Sequence, residues 1–387
     1  MRIGFLFNHD QIHQVAHSLP VAKALKAADP ALEVIVATTN DRLAAEVERL
    51  SGLIGGPALE AVSLRPRERF GSGMLRALNR LAPVAKLALY RDHLDWFAGL
   101  DALVVTEKTS TILRTRYGLD RVRLIHTRHG AGDRAVGFDP ASALFDLVLV
   151  SGPKIRDRLL AETSLTPDRL AMVGYPKFDL PATGGLPAKL AANGRPTVLY
   201  NPHVSPHLSS WYRDGRAILD WFAANPQWNL IFAPHVMLFE RRVAASIDRF
   251  SLAFPGSVER RIVDAPNIHV DLGSPASTDM RYTRAADLYL GDVSSQLYEF
   301  IRTPRPAIFV NSHGIDWAGD ANYRHWTAGE VIGGADALAG ALARAAAEPP
   351  RYEAAQRALF AESIDLTDTP SSIRAAGAIR AFLDRSA

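Results

Sequence analysis

The sequence predicts an α/β protein made of two consecutive domains, each with a parallel sheet covered by helices. Three observations predict this class. The chain of 387 residues is too long for one ordinary core. Short apolar runs alternate with helical patterns in both halves, and a loop rich in proline and glycine, residues 180–196, separates them. We therefore expect two Rossmann-like domains that face one another, residues 1–182 and 183–369, with a C-terminal helix over 370–387 that can cross back.

Apolar runs and helical patterns alternate through the first domain. The apolar runs predict strands at Ile3–Phe7, Val34–Ala37, Ala102–Thr106, Val122–Thr127, Leu147–Val150 and Ala171–Val173. The patterns between them predict helices at Val15–Ala28, Arg42–Leu50, 71–97, Ser110–Tyr117 and Pro153–Ala161. Strands that alternate with helices are typical of a parallel sheet covered on both faces.

The same alternation resumes after the loop. Strands are predicted at Thr197–Tyr200, Leu230–Phe232, Ile268–Val270, Leu288–Leu290 and Ala307–Val310. Helices are predicted near Tyr212–Ala223, Arg241–Phe250, Thr278–Ala285, Ser295–Arg302, 335–347 and 370–385. The second domain is therefore expected to repeat the architecture of the first.

The composition is that of a globular protein without covalent cross-links. Hydrophobic residues make up 48% of the chain and charged residues 22%, which argues against extended disorder. The chain has no cysteine, so we expect neither disulfides nor thiolate metal sites, and a cytoplasmic location fits. The first residues, MRIGFLF, lack a signal-peptide pattern, and no apolar run has the length of a transmembrane helix.

The stretch 65–91 is rich in arginine and lysine, interleaved with apolar residues. This pattern fits an ordinary helix whose arginines face solvent, and equally an amphipathic helix that rests on an anionic membrane surface. The second alternative would make the protein peripheral on the inner face of the cell membrane. Nucleic acid is not expected as a partner, because no aromatic ladder, zinc spacing or helix-turn-helix pattern accompanies the charge.

Polar side chains collect directly after the predicted strands, where open α/β sheets bind their ligands. A single histidine there is as readily a hydrogen-bonded structural residue. The shared position of four histidines favours instead a cleft that holds a nucleotide-linked donor and transfers a phosphoryl or glycosyl group. The candidate residues are Asn8, His9, Arg128, His129, Gly130, Asp133, Asn201, His203, His235, Asp292, Ser294 and Ser295.

The turn Gly291–Ser295 joins an apolar strand to a helical pattern and allows two roles. Serine and aspartate satisfy the unpaired N–H groups at a helix start, which makes plain capping the simpler interpretation. The same N–H groups and hydroxyls can also hold a phosphate. Both roles are compatible with Ser294 and Ser295.

Other common chemistries lack their patterns in this chain. The stretch HTRHGAGDR, residues 126–134, places glycines beside a histidine, but it is neither a dinucleotide-binding fingerprint nor a phosphate-binding loop of the Walker type. There is no zinc-protease helix motif and no G-x-S-x-G. No D-x-D follows a strand, so a metal-dependent donor site is not indicated. We expect that the protein requires no metal and no other cofactor.

Several segments taken together resemble one family. They are HTRHG (126–130), GYPKFD (174–179), VLYNPH (198–203), FAPH (232–235), AADLYLGDVSSQLYEF (285–300), PAIFVN (306–311) and SIDLTDTPSS-IRAAGAI (363–379). The chain is similar here to the CDP-glycerol glycerophosphotransferases, which are related to teichoic-acid primases and polymerases. The resemblance extends over about 126–380 and is clearest at 285–311.

The resemblance implies a GT-B fold with the donor, CDP-glycerol or a related CDP-polyol, in the C-terminal domain. An acceptor hydroxyl of a lipid or glycan would attack the phosphorus that bears the glycerol, and CMP would leave. His129 would be the general base, and His235 would contact the diphosphate. The implied donor and phosphate-binding residues are Gly130, Lys177, Asn201, His203, Arg281, Asp292, Ser294 and Ser295. The residues expected on the acceptor side are Asn8, His9, Arg128 and Asp133.

Three positions depart from the family pattern. Lys177 replaces an arginine, Arg128 replaces an aromatic residue before the histidine-glycine pair, and Val293 replaces a tyrosine. These changes bear on the identity of the donor more than on the fold. A glycosyltransferase or epimerase of the same fold that uses a UDP-sugar is the alternative, and a non-catalytic nucleotide-binding protein is a further one.

Overall fold

The computed structural model describes residues 1–8, 12–66, 84–128, 130–240, 243–246 and 251–386. Within these ranges the chain divides into two compact units. Unit 1 contains residues 1–130, 138–181 and 364–387, and unit 2 contains residues 131–137 and 182–363. The units differ from the predicted domains because 131–137 belongs to unit 2 and the chain returns to unit 1 at 364. His9, His129 and most of the basic stretch lie outside the described residues.

Unit 1 is built on a seven-stranded parallel sheet in the order β3-β2-β1-β4-β5-β6-β7. Its central strand β1 (Arg2–Phe7) is buried from Ile3 onward, as expected for an apolar strand covered on both faces. The remaining strands are β2 (Glu33–Thr38), β3 (Glu60–Ser63), β4 (Ala102–Val105), β5 (Arg123–Thr127), β6 (Leu147–Val150) and β7 (Leu170–Met172).

Helices connect these strands. The first, α1, covers Val15–Ala28, and α2 begins after Asn40, whose side chain accepts a hydrogen bond from the Leu43 amide at 2.9 Å. The helices that follow α1 in the described part of unit 1 before residue 182 are α2 (Asp41–Ile54), α3 (Val84–Asp92), α4 (Leu94–Ala98), α5 (Ile112–Thr115) and α6 (Pro153–Glu162).

Unit 2 repeats the plan with a six-stranded parallel sheet in the order β12-β9-β8-β13-β14-β15. A separate antiparallel pair, β10 with β11, lies outside this sheet. The strands are β8 (Thr197–Asn201), β9 (Asn229–Phe232), β10 (Ala244–Ser246), β11 (Ser251–Ala253), β12 (Ile268–Val270), β13 (Leu288–Gly291), β14 (Ala307–Val310) and β15 (Glu330–Ile332).

The helices of unit 2 are mostly short. A π-helical turn, Trp211–Gly215, precedes one of them. They are α7 (Ala188–Ala191), α8 (Arg216–Ala224), α9 (Arg260–Val263), α10 (Arg281–Ala285), α11 (Gln296–Phe300), α12 (Leu338–Ala347) and α13 (Glu353–Ser363). The predicted helix over Arg241–Phe250 is wrong, because its described central residues form strand β10.

The last helix, α14 (Ser371–Ser386), returns to unit 1 and packs against α1, which confirms the predicted crossing back. Its first turn is tied down by side chains. The Ser371 hydroxyl accepts a hydrogen bond from the Tyr175 amide at 2.9 Å, and the Asp179 carboxylate accepts one from the Ser372 amide at 2.6 Å.

Both parallel sheets have the strand order 3-2-1-4-5-6 of the Rossmann fold, extended by one strand in unit 1. The α/β class predicted from the sequence is therefore confirmed. In this order the ligand crevice lies where the winding reverses, at the carboxyl ends of the first and fourth strands. These strands are β1 and β4 in unit 1 and β8 and β13 in unit 2. Among the described helices, none is long and apolar enough to cross a membrane.

Candidate functional site

The reversal point of the unit 2 sheet brings together the segments after β8, β9 and β13. Gly291 at the end of β13 pairs with Asn201 at the end of β8. The side-chain amide nitrogen of Asn201 donates a hydrogen bond to the Ala233 carbonyl, just beyond β9, at 2.6 Å. The buried side-chain oxygen Oδ1 of Asn201 has no hydrogen-bond partner among the described residues. Asn201 therefore links two of the three segments and keeps one acceptor available.

Asp292 fastens the turn after β13 to the segment after β8. Its fully buried carboxylate accepts hydrogen bonds from the His203 amide at 2.8 Å, from the Ser210 amide at 2.6 Å and from the Ser210 hydroxyl at 2.8 Å. Burial raises the pKa of Asp292, although these hydrogen bonds act in the opposite direction. Because its oxygens are occupied by protein donors, Asp292 organises the turn.

The two serines of this turn differ in their surroundings. The Ser294 hydroxyl accepts a hydrogen bond at 3.3 Å from the amide of Gln296, the first residue of α11. Ser295 directly precedes α11 but makes no side-chain capping bond, and its side chain is exposed. Capping therefore falls to Ser294.

His203 faces a cation, Arg134, across 3.1 Å between its Nε2 and the arginine Nη1. Its other ring nitrogen, Nδ1, accepts a hydrogen bond from the Ser205 amide at 2.9 Å. A neutral imidazole has only one acceptor nitrogen, so the tautomer that accepts at Nδ1 carries its proton on Nε2. Two donors, the His203 Nε2–H and the Arg134 guanidinium, then converge, which is an arrangement suited to an anion.

His235 lies beside this pair, with its ring centroid 5.8 Å from that of His203. Burial, with the nearby charge of Arg134, lowers the pKa of His235 to about 4. Burial also lowers the pKa of His203 well below its ordinary value; the His235 ring, when it is protonated, and the charge of Arg134 act in the same direction. Both rings are therefore neutral N–H donors at pH 7 in the absence of an anion.

Two further histidines, His207 and His325, lie near enough to affect the pKa of His203. Together with His203, His235 and Arg134 they form what we call the basic cluster of unit 2. Within the described ranges no group of three or more histidine, cysteine, aspartate or glutamate residues is placed to hold a metal ion.

Asp133 is placed in unit 2, although the sequence suggested a role on the acceptor side. Its buried carboxylate oxygen Oδ2 accepts hydrogen bonds from the Tyr298 hydroxyl at 2.6 Å and from the His325 amide at 3.1 Å. The same oxygen lies 3.1 Å from the His325 Nδ1. Asp133 thus attaches segment 131–137 to unit 2, and the following residue is Arg134.

Arg281 does not join the basic cluster through its hydrogen bonds. Its Nε donates to the Thr183 carbonyl at 3.2 Å, and its backbone amide donates to the Asp279 carboxylate at 3.1 Å. The side chain also covers Gly184, where an added Cβ would lie 2.9 Å from the guanidinium carbon. Arg281 therefore contacts Thr183 and Gly184, near the start of the segment 182–363 of unit 2.

Four other predicted site residues belong to unit 1. Gly130 adopts a left-handed backbone with φ of 78°, and Lys177 is buried in the 3-10 turn Pro176–Asp179. Asn8 directly follows β1, and its side-chain amide donates a hydrogen bond to the Tyr90 hydroxyl at 2.6 Å. Arg128 lies over the Phe138 ring at 4.9 Å, and burial lowers its pKa to about 10.

The described part of the basic stretch is neutralised by acidic neighbours. Arg65 pairs with Asp41 at 2.5 Å and Lys86 with Glu107 at 2.5 Å. Residues 67–83, which carry most of the arginines of this stretch, lie outside the described residues. The predicted membrane surface therefore stays a prediction.

Sequence reasoning missed Arg134, His207 and His325 as members of the cluster. Arg134 closes the stretch HTRHGAGDR, and its position seven residues beyond the end of β5 gives no sign that it belongs to unit 2. His325 lies in the 3-10 segment Ala321–Ala328, far from any strand end that sequence reasoning would select. Only the tertiary structure brings these side chains to His203.

No protein-family model matches the chain, and no curated protein sequence matches it. Solved structures do match it over nearly its whole length. The wall teichoic acid polymerase TagF, in a variant soaked with CDPG, is 10% identical with a TM-score of 0.61, covering 100% of this chain and 89% of the other. The UDP-GlcNAc 2-epimerase from Neisseria meningitidis bound to UDP-GlcNAc is 12% identical with a TM-score of 0.59, covering 100% of both chains.

The glycotransferase of kitacinnamycin is similar at 15% identity, with a TM-score of 0.56 and 98% of each chain covered. At such identities the likeness concerns the fold alone. The chain has an α/β fold of the GT-B-like class, with one Rossmann-type sheet in each unit.

Proposed function

We propose that this protein is a transferase that uses a nucleoside-diphosphate-linked donor, and that the donor is CDP-glycerol or a related CDP-polyol. The observation that carries this proposal is the convergence of Arg134 and His203 at the reversal point of the unit 2 sheet, with their nitrogens 3.1 Å apart. Two convergent donors beside a further histidine suit the oxygens of a diphosphate. The D-V-S-S turn and the other segments similar to glycerophosphotransferases support the cytidine donor.

In the proposed reaction an acceptor hydroxyl attacks the phosphorus that bears the glycerol. The bond from this phosphorus to the bridging oxygen breaks, and CMP leaves with the electron pair. Arg134 and His203 stabilise the negative charge that develops on CMP, and His235 donates a hydrogen bond to a phosphate oxygen. The proton of the acceptor hydroxyl passes to His129, the general base implied by the resemblance.

A UDP-sugar is the second candidate donor. It is supported by the likeness in fold to a UDP-GlcNAc 2-epimerase bound to UDP-GlcNAc. The basic cluster suits either donor, because it addresses the diphosphate that both share. The choice between cytidine and uridine depends on contacts beyond this cluster.

Thermal unfolding in the presence of CDP-glycerol, CDP-ribitol, CMP, UDP-N-acetylglucosamine and UDP tests the proposal. A ligand that binds only the folded protein raises the melting temperature. We expect the cytidine compounds to raise the melting temperature of the wild type. His203→Ala should abolish this rise, and the double substitution Ser294→Ala/Ser295→Ala should weaken it. The control is Ser63→Ala, at the exposed end of β3 in unit 1, which should keep the full rise.

Stabilisation by the uridine compounds alone would replace the cytidine donor by a UDP-sugar. Absence of any rise in the wild type would contradict a nucleotide-linked donor altogether. The acceptor is proposed to be a lipid-linked or glycan hydroxyl, with an anionic membrane surface bound through 65–91. Sedimentation with anionic liposomes is the measurement that checks the membrane part.

A further inference from the structure

We propose that Asp133, Tyr298 and His325 are positioning residues that hold Arg134 where it binds the phosphates of the donor. This inference rests on the proposed function, because it names the device that completes the same site. We call these three residues the clasp. It lies wholly within unit 2 and within the described residues.

Arg134 needs such a device because its own segment offers little regular structure. Segment 131–137 contains no strand and no α-helix, and only a 3-10 turn, Ala135–Phe138, begins within it. Its backbone passes close to the D-V-S-S turn, since a Cβ added at Gly132 would lie 3.7 Å from the Ser295 Cβ. An arginine on such a segment is placed by tertiary contacts, and the preceding residue, Asp133, makes such contacts.

The Asp133 carboxylate is the centre of the clasp. It accepts hydrogen bonds from the Tyr298 hydroxyl at 2.6 Å and from the His325 amide at 3.1 Å, and the His325 Nδ1 lies 3.1 Å from it. Asp133, Tyr298 and His325 are only 3%, 1% and 3% exposed. Hydrogen bonds to a buried carboxylate are strong, because a buried group that loses its partner cannot form a replacement bond with water.

His325 connects the clasp to the rest of the site. Its Nε2 lies 3.2 Å from the backbone carbonyl of Asp292, which also accepts a hydrogen bond from the Trp326 indole at 2.8 Å. The Asp292 carboxylate holds the amide of His203 at 2.8 Å. A neutral imidazole carries one N–H, so the His325 ring donates either to the Asp133 carboxylate or to the Asp292 carbonyl, while the His325 amide donates to Asp133 in both cases. Buried contacts therefore run from Asp133 through His325 and Asp292 to His203, the partner of Arg134.

Both sides of the convergent pair are thus fixed by one network. Asp133 fixes the backbone next to Arg134, and Asp292 fixes the backbone of His203. If the clasp is loosened, the guanidinium loses its fixed distance from the His203 Nε2, and an anion meets one placed donor in place of two. Affinity for phosphate groups should fall although no group that touches the ligand has been changed.

The experiment is a double-mutant cycle between Tyr298→Phe and Arg134→Ala, with pyrophosphate, CDP and UDP as probes in isothermal titration. Tyr298→Phe removes one hydroxyl from the clasp and keeps the ring. We expect this change to lower the affinity for pyrophosphate, and for the nucleotide that the wild type prefers, about tenfold. A loss of this size corresponds to the misplacement of one charge-assisted hydrogen bond. In the Arg134→Ala background the same change should cause no further loss, because the residue that it positions is gone.

The matched control is Tyr282→Phe. The Tyr282 hydroxyl donates to the Asp271 carboxylate at 2.8 Å in the same unit, so this variant also removes a tyrosine–aspartate hydrogen bond. It should lower the melting temperature to a similar extent and leave affinity for the probes unchanged. Asp133→Asn, which keeps the size of the side chain but loses the charge, provides a second variant of the clasp if Tyr298→Phe does not fold.

Wild-type affinity in Tyr298→Phe, or losses from Tyr298→Phe and Arg134→Ala that add, would overturn the inference. Binding of pyrophosphate that depends on both Arg134 and Tyr298, without binding of CDP or UDP, would support the clasp and overturn the proposed function. A wild type that binds none of the three probes would overturn both.

Discussion

Arg134 and His203 define the site at the scale of single residues, because two hydrogen-bond donors face each other at 3.1 Å. The His203 Nδ1 accepts from the Ser205 amide, so the neutral ring carries its proton on the Nε2 that faces Arg134. Burial of the rings, together with the charge of Arg134, keeps His203 and His235 neutral. A bound diphosphate reverses this balance by favouring the charged form of each ring.

The lowered pKa of His235 predicts how stability depends on pH. In the unfolded chain this ring binds a proton near pH 6.5, whereas in the folded protein it does so only near pH 4. Between these values the unfolded state binds more protons, so the free energy of unfolding falls as the pH falls from about 6.5 to about 4. His235→Asn removes this contribution, and the difference in stability between variant and wild type should change across that range.

Urea unfolding at several pH values without ligand measures this difference. His313→Asn is the control, because His313 is a half-buried histidine of unit 2 whose Nε2 lies 3.1 Å from the Ser209 carbonyl, outside the basic cluster. A pH dependence in His235→Asn as steep as that of the wild type would contradict the assignment.

The sequence predicts part of this site and misses the rest for a physical reason. His203 and His235 follow buried strands within two or three residues, and a parallel sheet brings such positions to one edge. Arg134 and His325 reach the same place through segments without regular structure, whose course depends on tertiary hydrogen bonds. The residue types and the spacing of Arg134 and His325 in the sequence do not indicate those contacts.

Arg305 shows, at the scale of secondary structure elements, how two short helices beside the site are stabilised together. Its guanidinium donates to the Thr283 carbonyl near the end of α10 at 2.7 Å and to the Phe300 carbonyl at the end of α11 at 2.7 Å. Its central carbon lies 4.0 Å from the centroid of the Phe300 ring. A cation at two helix carboxyl ends satisfies carbonyl groups that the helices leave unpaired.

Arg305→Lys should therefore destabilise unit 2 by about 2 kcal/mol, because an ammonium group cannot reach both helix ends at once. Urea unfolding measures the loss. Arg357→Lys, on the exposed face of α13 where Arg357 pairs with Glu353, should change stability by less than about 0.5 kcal/mol. Equal effects of the two changes would show that the double contact of Arg305 contributes nothing.

The elements that the sequence misses are those in which local pattern is weak. Strand β3 at one edge of the unit 1 sheet is largely exposed, and β15 at one edge of the unit 2 sheet is only three residues long. Neither presents the apolar run of the buried strands that were predicted correctly. The helix expected over Arg241–Phe250 has a helical composition, but residues 244–246 pair with β11 in antiparallel fashion, so tertiary pairing overrides propensity there.

At the scale of the whole molecule, each unit has a sheet of Rossmann order and a core of its own. Unit 1 is not continuous in sequence, because α14 completes it after the chain has passed through unit 2. Unit 1 therefore cannot be complete until the last helix is present, whereas the sheet of unit 2 is formed by one uninterrupted stretch.

This division predicts two unfolding transitions, each sensitive to one core. Ile379 on α14 is fully buried in unit 1, and Leu342 on α12 is 1% exposed in unit 2. Replacement of either by alanine should cost about 3 kcal/mol. In calorimetry, Ile379→Ala should lower one transition and Leu342→Ala the other, and a nucleotide that binds the basic cluster should raise only the one that Leu342→Ala lowers. If both substitutions lowered the same single transition, the two units would unfold as one cooperative body.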